Sequence, residues 1–475
     1  MADANHYDVL IIGAGIAGSA LAYALATQAS SSRSTPLRIA LLERALAEPD
    51  RIVGELLQPG GVAALTALGM RGCLDGIGAV PVRGYCVVEG GVPVHIPYPD
   101  AAEGRSFHHG RFVQALRAKA RTGAGVEVVE ATASELIECA HTRRVIGVRA
   151  RRTGEEEREA FWAGLVVVAD GCFSNFRSAV LGAGAVQARA QTKSHFVGAV
   201  LEDVQLPIDK HGTVVLVKGS GPVLLYQIAE HDTRILIDVK APLPADLKAH
   251  ITTHILPQLP AAVHAPLHTA LARDRLRKMP NTFLPAVEQG AREGVLLLGD
   301  AWNMRHPLTG GGMTVALNDV VILTSLLSDL PDMSDWHAVS SVLHEWHWAR
   351  KPLSSTINIL SVALYDLFGA DDEFLAVLRR GCFKYFERGG ACVRGPVSLL
   401  SGLAPAPLLL ARHFFAVAFY AIWVMFTHAA PLPPSSSDGK VRYGVPGVGD
   451  YPGLAVKAVR VVRLFLPSFL SFGRG

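Results

Sequence analysis

Charge is scarce in this chain: 18% of its 475 residues are Asp, Glu, Lys or Arg, and the net charge is only +3. The basic residues alternate with apolar ones and form no solvated patch, so nucleic acid is not the implied partner. The six cysteines, Cys73, Cys86, Cys139, Cys172, Cys382 and Cys392, include no CxxC pair and have no histidine at metal spacing. That excludes a zinc ribbon and a disulfide framework, and it leaves buried, reduced thiols in a catalytic body facing the cytosol, with no metal. No internal repeat is visible. MADANHYDVL enters a strand almost at once, leaving no room for the charged and apolar regions of a signal peptide. No catalytic triad or carboxylate pair stands out.

Apolar residues are abundant instead. They make up 50% of the chain, mean hydropathy is +0.28, and the excess is concentrated at the C-terminus, which points towards a membrane. Lys440 to Gly475 holds six Lys or Arg against one Asp, so this tail is strongly positive and the remainder slightly negative. At this length two or three domains are expected.

Tyr7 to Ile12 reads as an apolar strand, followed by Gly13-Ala-Gly15-Ile-Ala-Gly18 and a small-residue helix from Ser19 to Ala29. Between a strand and a helix, this glycine spacing predicts a dinucleotide turn. Gly13 makes the bend, Gly15 admits a pyrophosphate and Gly18 packs helix on strand. A second strand, Leu37 to Leu42, ends in Glu43, placed to hydrogen-bond ribose hydroxyls; SSRST at Ser31 to Thr35 accounts for the long spacing. A carboxylate there repels a 2′-phosphate, so FAD or NAD fits better than NADP.

A buried strand, Val295 to Leu298, delivers Asp300 to a sheet's carboxyl end, where open α/β sheets bind ligands. Gly310, Gly311 and Gly312 then open a helix, Met313 to Leu327, whose free N–H groups point at that ligand. Leu165 to Asp170-Gly171 is a second strand of this kind. The alternating strands His195 to Leu201, Thr213 to Val217, Val223 to Ile228 and Ile235 to Val239 suggest an antiparallel sheet roofing the substrate. Ala245 to Asp274 is helical, with Pro257 and Pro260 interrupting it.

Arg51 keeps two readings, and Tyr85, His108 and His109 each read locally as structural. Arg51 offers a fixed guanidinium to a flavin phosphate or carbonyl oxygen, or else pairs with Glu48 or Glu55 in a surface loop. Tyr85 reads locally as a core aromatic. His108 and His109, before the helix Phe112 to Arg121, read as capping and core hydrogen bonding.

From Pro331 onward the chain is helical and increasingly apolar. The uninterrupted run Phe414 to Phe426 is short for a span, and Pro405 and Pro407 break what precedes it, so an in-plane or hairpin anchor is expected. Lys457, Arg460 and Arg463 form one stripe of a helix from Leu454 to Leu466, opposite Val456, Val459, Val462 and Phe465. Such a helix lies on an anionic membrane, or packs on the protein's own core.

The strings EPDRIVGELLQPGG, GYCVVEG, FHHGRF, VVVADGCFSNFR and GDAWNMRHPLTGGGMTVALND resemble the squalene epoxidase (squalene monooxygenase) family of FAD-dependent two-domain hydroxylases. The resemblance runs from Tyr7 to about Pro352, and more loosely to the end. It implies an α/β fold: a Rossmann-like FAD-binding domain, an antiparallel-sheet substrate domain and a C-terminal helical, membrane-associated region. The corresponding boundaries are 1–80, 105–190 and 290–330 for the first, 81–104 and 191–289 for the second, and 331–475 for the third.

By the same resemblance, FAD is held by Gly13, Gly15, Ile16, Ala17, Gly18, Glu43, Arg44, Arg51, Leu56, Arg117, Ala133, Asp300, Gly311, Gly312 and Met313. Gln58 and Tyr85 belong to the active site, hydrogen-bonded to one another. The implied reaction takes squalene and O₂ to (S)-2,3-oxidosqualene in sterol biosynthesis. Its electrons come from NADPH through NADPH-cytochrome P450 reductase, at the endoplasmic reticulum membrane in contact with lipid. A flavoprotein acting on another polyprenyl or apolar substrate is the alternative, and a lipid carrier that keeps a flavin fold without turnover is a third reading.

Overall fold

His6–Ile12 (β1) is fully buried from Val9 onward, as expected of a central parallel strand whose two faces are both covered. The computed structural model describes residues 5–28, 35–182, 184, 189–273, 276–369, 373–428, 430–431 and 443–470. In it β1 pairs with Ile39–Glu43 (β2) on one side and Glu159–Val168 (β10) on the other. The parallel sheet continues from β2 to Val126–Glu138 (β8) and from β10 to Val295–Leu297 (β16). Val145–Arg152 (β9) runs antiparallel to both β8 and β10. Ile16–Gln28 (α1) packs between Gly312–Ser328 (α7) and His109–Ala120 (α3).

The second sheet has seven strands. In spatial order they are Arg277–Phe283 (β15), Gln191–Glu202 (β11), Asp232–Lys240 (β14), Val223–Gln227 (β13), Gly212–Leu216 (β12), Gly84–Glu89 (β5) and Val92–Pro97 (β6). Alternation sorts its side chains by face. Val197, Leu225, Ile235 and Ile237 pack on Leu267 and Leu271 of Ala261–Arg273 (α6). Phe196, Leu224, Tyr226 and Leu236 face Leu56, Leu308 and the C-terminal helices. The joint between β12 and β5 is parallel, so the expected antiparallel sheet is mixed at that point. The β5–β6 hairpin arrives from far upstream, and local alternation carries no information about a distant neighbour's direction.

Leu56–Leu57 (β3) and Val80–Val82 (β4) flank Gly104–Ser106 (β7) in a small third sheet. Pro59–Ala67 (α2) follows β3, and Arg177–Leu181 (α4) follows β10. Leu247–His250 (α5) runs into a π turn at Ile251–Ile255 and a tight turn at Leu256–Gln258 before α6, so the helical stretch is interrupted at the expected prolines.

Trp336–Phe368 (α8), Glu373–Glu387 (α9), Ala391–Leu400 (α10), Pro407–Thr427 (α11) and Tyr451–Leu470 (α12) form the C-terminal region. Helix α11 has 21 residues and a mean hydropathy of 1.8, long and apolar enough to cross a membrane. It is longer than the run from Phe414 because Pro407 occupies its first turn, where a proline costs no hydrogen bond. A Cβ on Gly381 of α9 would lie 2.2 Å from Ala421 Cβ of α11, so these helices touch backbone to side chain.

In α12 Lys457 and Arg460 reach back to α9. Lys457 pairs with Glu373 at 2.9 Å, and Lys457 and Arg460 lie over the Phe374 ring. Val456 and Val459 are 57% and 55% exposed, so the apolar side of the helix looks outward. The Arg463 side chain, Lys440, Arg442, Arg474 and the insertion at residues 31–34 lie outside the described residues. Behind α10 the chain reaches back to the first unit: Gly60 N donates to Ser401 O at 2.9 Å, with no space for a side chain at Gly60 against Gly402 O.

Candidate active site

A cavity of about 650 Å³ opens at the carboxyl ends of the parallel strands and continues beneath the second sheet. Its nucleotide-like end is built from backbone. Gly13 has φ +103°, and a Cβ there would meet Ala169 O at 2.5 Å, so only glycine lets the β1–α1 turn close against the end of β10. A Cβ on Gly15 or Gly312 would meet nothing within 4 Å, and both residues line the cavity. The N-termini of α1 and α7 therefore present free N–H groups and positive dipole ends to the same space, as an anion requires.

Glu43, at the end of β2, accepts from Ala14 N at 2.9 Å and pairs with Arg117 Nη2 at 3.2 Å. Arg117 is buried and also donates to Ala14 O at 2.8 Å and Ala47 O at 3.2 Å, bracing both sides of the turn. Arg44 and Arg51 line the cavity with exposed side chains. Glu55, a candidate partner for Arg51, is engaged elsewhere: Arg234 holds it through two bonds of 2.7 and 2.8 Å, and Tyr226 donates to it at 3.3 Å. Arg51 makes no ion pair or hydrogen bond among the described residues.

The Asp300 carboxylate opens onto the cavity. Loss of surrounding water raises its pKa, while Arg305, Arg51 and Arg177 act against the rise. Arg177 staples the two strand ends together, donating to Ala301 O at 2.7 Å, Asp300 O at 3.0 Å and Cys172 O at 3.1 Å. His109 pairs through Nδ1 with Gly54 O at 2.9 Å, and burial pulls its pKa down to about 4. It is therefore a neutral donor to that carbonyl at neutral pH. His108 bonds Asp232 at 2.8 Å.

The other end is apolar, lined by Leu56, Val214, Leu224, Leu236, Met279 and Leu308, with Tyr85 and Tyr226 among them. Here Tyr98 stands between the expected pair, Gln58 and Tyr85. Tyr98 donates to Gln58 Oε1 at 2.5 Å, and Gln58 Nε2 donates to Thr309 O at 2.8 Å. The Tyr85 hydroxyl, buried beside Tyr98 and Gln58, makes no well-formed hydrogen bond among the described residues, and its ring stands edge-on to Tyr98 at 5.4 Å. The Gln58 oxygen is taken by the tyrosine from β6's far end, which no local feature of the sequence places there. Gly310, at φ +60°, makes the left-handed turn that brings Thr309 O over Gln58.

Of the residues singled out from the sequence, the cavity gathers Gly13, Gly15, Ile16, Ala17, Glu43, Arg44, Arg51, Leu56, Gln58, Tyr85, Arg117, Ala133, Asp300, Gly312 and Met313. Gly18 and Gly311 stand behind its wall, against Gly13 O and the Ile357 side chain. Sequence reasoning missed Tyr98, Arg305 and the buried Glu55–Arg234 pair. For Arg305 the signal was available, since it lies inside the GDAWNMRHPLTGGGM string. Among the described residues no cluster of three His, Cys, Asp or Glu could hold a metal. An electronegative cofactor end, a flat ring at the turn 307–312 and an apolar substrate beyond it suit the three parts of the cavity.

Comparison with known proteins agrees with this arrangement. A family profile described as squalene epoxidase matches residues 162–435. The squalene epoxidase of Aspergillus fumigatus is 47% identical over 90% of this chain and 88% of its own length. The squalene monooxygenase of Mus musculus is 42% identical over 88% of this chain and 72% of its own. Among solved structures, a probable FAD-dependent monooxygenase from Pseudomonas aeruginosa superposes with a TM-score of 0.62 at 21% identity, over 77% of this chain and 97% of that one, a likeness of fold.

Proposed function

Because this chain belongs to the squalene epoxidase family, we propose that it is an FAD-dependent monooxygenase converting squalene and O₂ to (S)-2,3-oxidosqualene in sterol biosynthesis. One oxygen atom enters the terminal alkene. The other leaves as water, with two electrons and two protons supplied by NADPH and H⁺. FAD, when bound, supplies the oxygen activation.

The protein's own contribution is positioning and dryness. Gly13, Gly15 and the α1 N-terminus receive the pyrophosphate, helped by Arg44 and Arg51. Glu43 and Ala133 take the adenosine side, with Arg117 holding the Glu43 carboxylate in place. Asp300 and the turn through Gly312 and Met313 set the ring against the apolar chamber. Leu56, Tyr85, Leu224 and Leu236 wall that chamber, excluding the water that would compete with the alkene. Gln58, tied to Tyr98 and Thr309, keeps the β3–α2 loop against the ring-binding turn. Residues 1–80, 105–190 and 290–330 serve the cofactor, 81–104 and 191–289 roof the substrate, and 331–475 attach the body to lipid from one side. A hydrocarbon as apolar as squalene partitions into the bilayer, which fits exposed Leu408, Phe419 and Trp423 on α11. The endoplasmic reticulum membrane and NADPH-cytochrome P450 reductase complete this reading.

The observation that carries the proposal is the continuity of the glycine-lined groove with the apolar chamber in one cavity. The test is purified protein with FAD, NADPH, a flavoprotein reductase and squalene in detergent, with products separated by gas chromatography and mass spectrometry. A product heavier by one oxygen, dependent on FAD and reductase, is expected. FAD bound and reduced with squalene untouched would move the assignment to another apolar substrate.

A further inference from the structure

Behind the cavity floor three side chains converge on one buried amide oxygen. Asn303 Oδ1 accepts from Arg305 Nη2 at 2.6 Å and from Arg350 Nη2 and Asn358 Nδ2 at 3.3 Å each. Arg350 is well matched: Asp319 takes two further bonds of 2.9 and 2.8 Å, and the guanidinium lies 4.3 Å from the Trp302 ring centroid. Arg305 is not. It is 7% exposed and its Nη2 reaches only Asn303, while Nε and Nη1 have no partner among the described residues.

Asp319 thus bonds one of these two buried guanidiniums and acts on the other only at a distance. The next anion, Asp300, opens onto the cavity instead of pairing with Arg305. Burial pulls the Arg305 pKa down to about 10, with Asp300 and Asp319 acting against that fall and Arg350 adding to it. A buried cation with unused donors is costly unless an electronegative group completes it. Arg305 lines the cavity with Pro307 and Leu308, at the turn that leads to Gly312.

We propose that Arg305, whose unpaired donors lie behind the cavity wall, is the cation whose field stabilises the negative charge that the electron-rich pyrimidine edge of the flavin ring gains on reduction. The inference rests on the FAD reading above. It assigns to Arg305 a control over how readily the enzyme accepts electrons, a property separate from how tightly it holds FAD.

The test uses full-length holoenzyme and the variants Arg305→Met and Arg305→Lys. It measures FAD affinity by fluorescence quenching, the two-electron midpoint potential against reference dyes, and the pH at which the reduced ring changes between neutral and anionic absorbance. Arg305→Met is expected to shift the reduction equilibrium at least tenfold towards the oxidised ring, about 30 mV, with FAD affinity changed less than threefold. Arg305→Lys is expected to restore most of the shift. In the wild type, which needs no variant to fold, the reduced ring should stay anionic to a lower pH than free reduced flavin. A wild-type reduced ring that is neutral where free flavin is neutral overturns the proposal. So does an Arg305→Met enzyme with unchanged potential, whether or not it loses FAD, since the residue then serves a phosphate or the fold. A wild type that retains no FAD overturns the flavin reading itself, and is recognised before any variant is compared.

Discussion

Asp300→Ala removes the carboxylate that β16 delivers to the cavity, and FAD affinity is expected to fall at least tenfold, about 1.4 kcal/mol, measured by fluorescence titration. Retention of wild-type affinity would separate Asp300 from the cofactor. His109 gives a pH signature. Its pKa falls from an ordinary 6.5 to about 4 in the fold, so the unfolded chain binds the extra proton between these values. The stability that neutral His109 contributes is therefore complete above about pH 6.5 and declines as pH falls towards 4, by roughly 2 kcal/mol at pH 5. Denaturant melts of wild type and His109→Gln at pH 7 and pH 5 should show a smaller acid-side loss in the variant. At this scale the sequence was legible where backbone chemistry dictates type, as at Gly13 and Glu43. It was silent on Tyr98, because whether Gln58 meets Tyr98 or Tyr85 depends on how β6 leaves the second sheet, and that is decided by packing.

Among the elements, α9 and α11 depend on one absent side chain. Gly381→Val forces methyl groups into the Ala421 backbone, and overpacking of this kind costs about 1 to 3 kcal/mol. Thermal melts should show a lowered midpoint, partly recovered by adding Ala421→Gly; an unchanged midpoint would mean the two helices separate without cost. Strands β1, β2, β10 and β16 were readable as unbroken apolar runs. The α6 region was readable from its prolines. Helix α11 was read short, because a proline in the first turn of a helix looks, in sequence, like one that breaks it. For α12 the sequence left two readings, a membrane surface or the protein's own core, because amphipathicity shows that a helix has two faces but not which one meets the protein; Lys457 and Arg460 meet α9.

For the molecule as a whole, the proposed attachment to lipid is tested on the outward residues of α11. A triple variant, Leu408→Ser, Phe419→Ser and Trp423→Ser, should sediment with phospholipid vesicles several-fold less than wild type while still oxidising detergent-dispersed substrate. Equal sedimentation would count against this face as the attachment surface. The division into a cofactor sheet, a second sheet and a helical tail was visible in the order of patterns along the chain. The parallel joint between β12 and β5 was not, since it arises from residues far apart in sequence.

The bond from Gly60 to Ser401 has a thermodynamic side. It joins the segment that follows Leu56 and Gln58 to the turn between α10 and α11, so on the proposed function cofactor loading and lipid seating would act on one connected piece of backbone. Linkage is reciprocal: if seating α11 in a bilayer tightens FAD, loading FAD must tighten the hold on the bilayer by the same factor. Apoprotein should then leave vesicles more readily than holoprotein, so that an enzyme without its cofactor also drifts from its substrate.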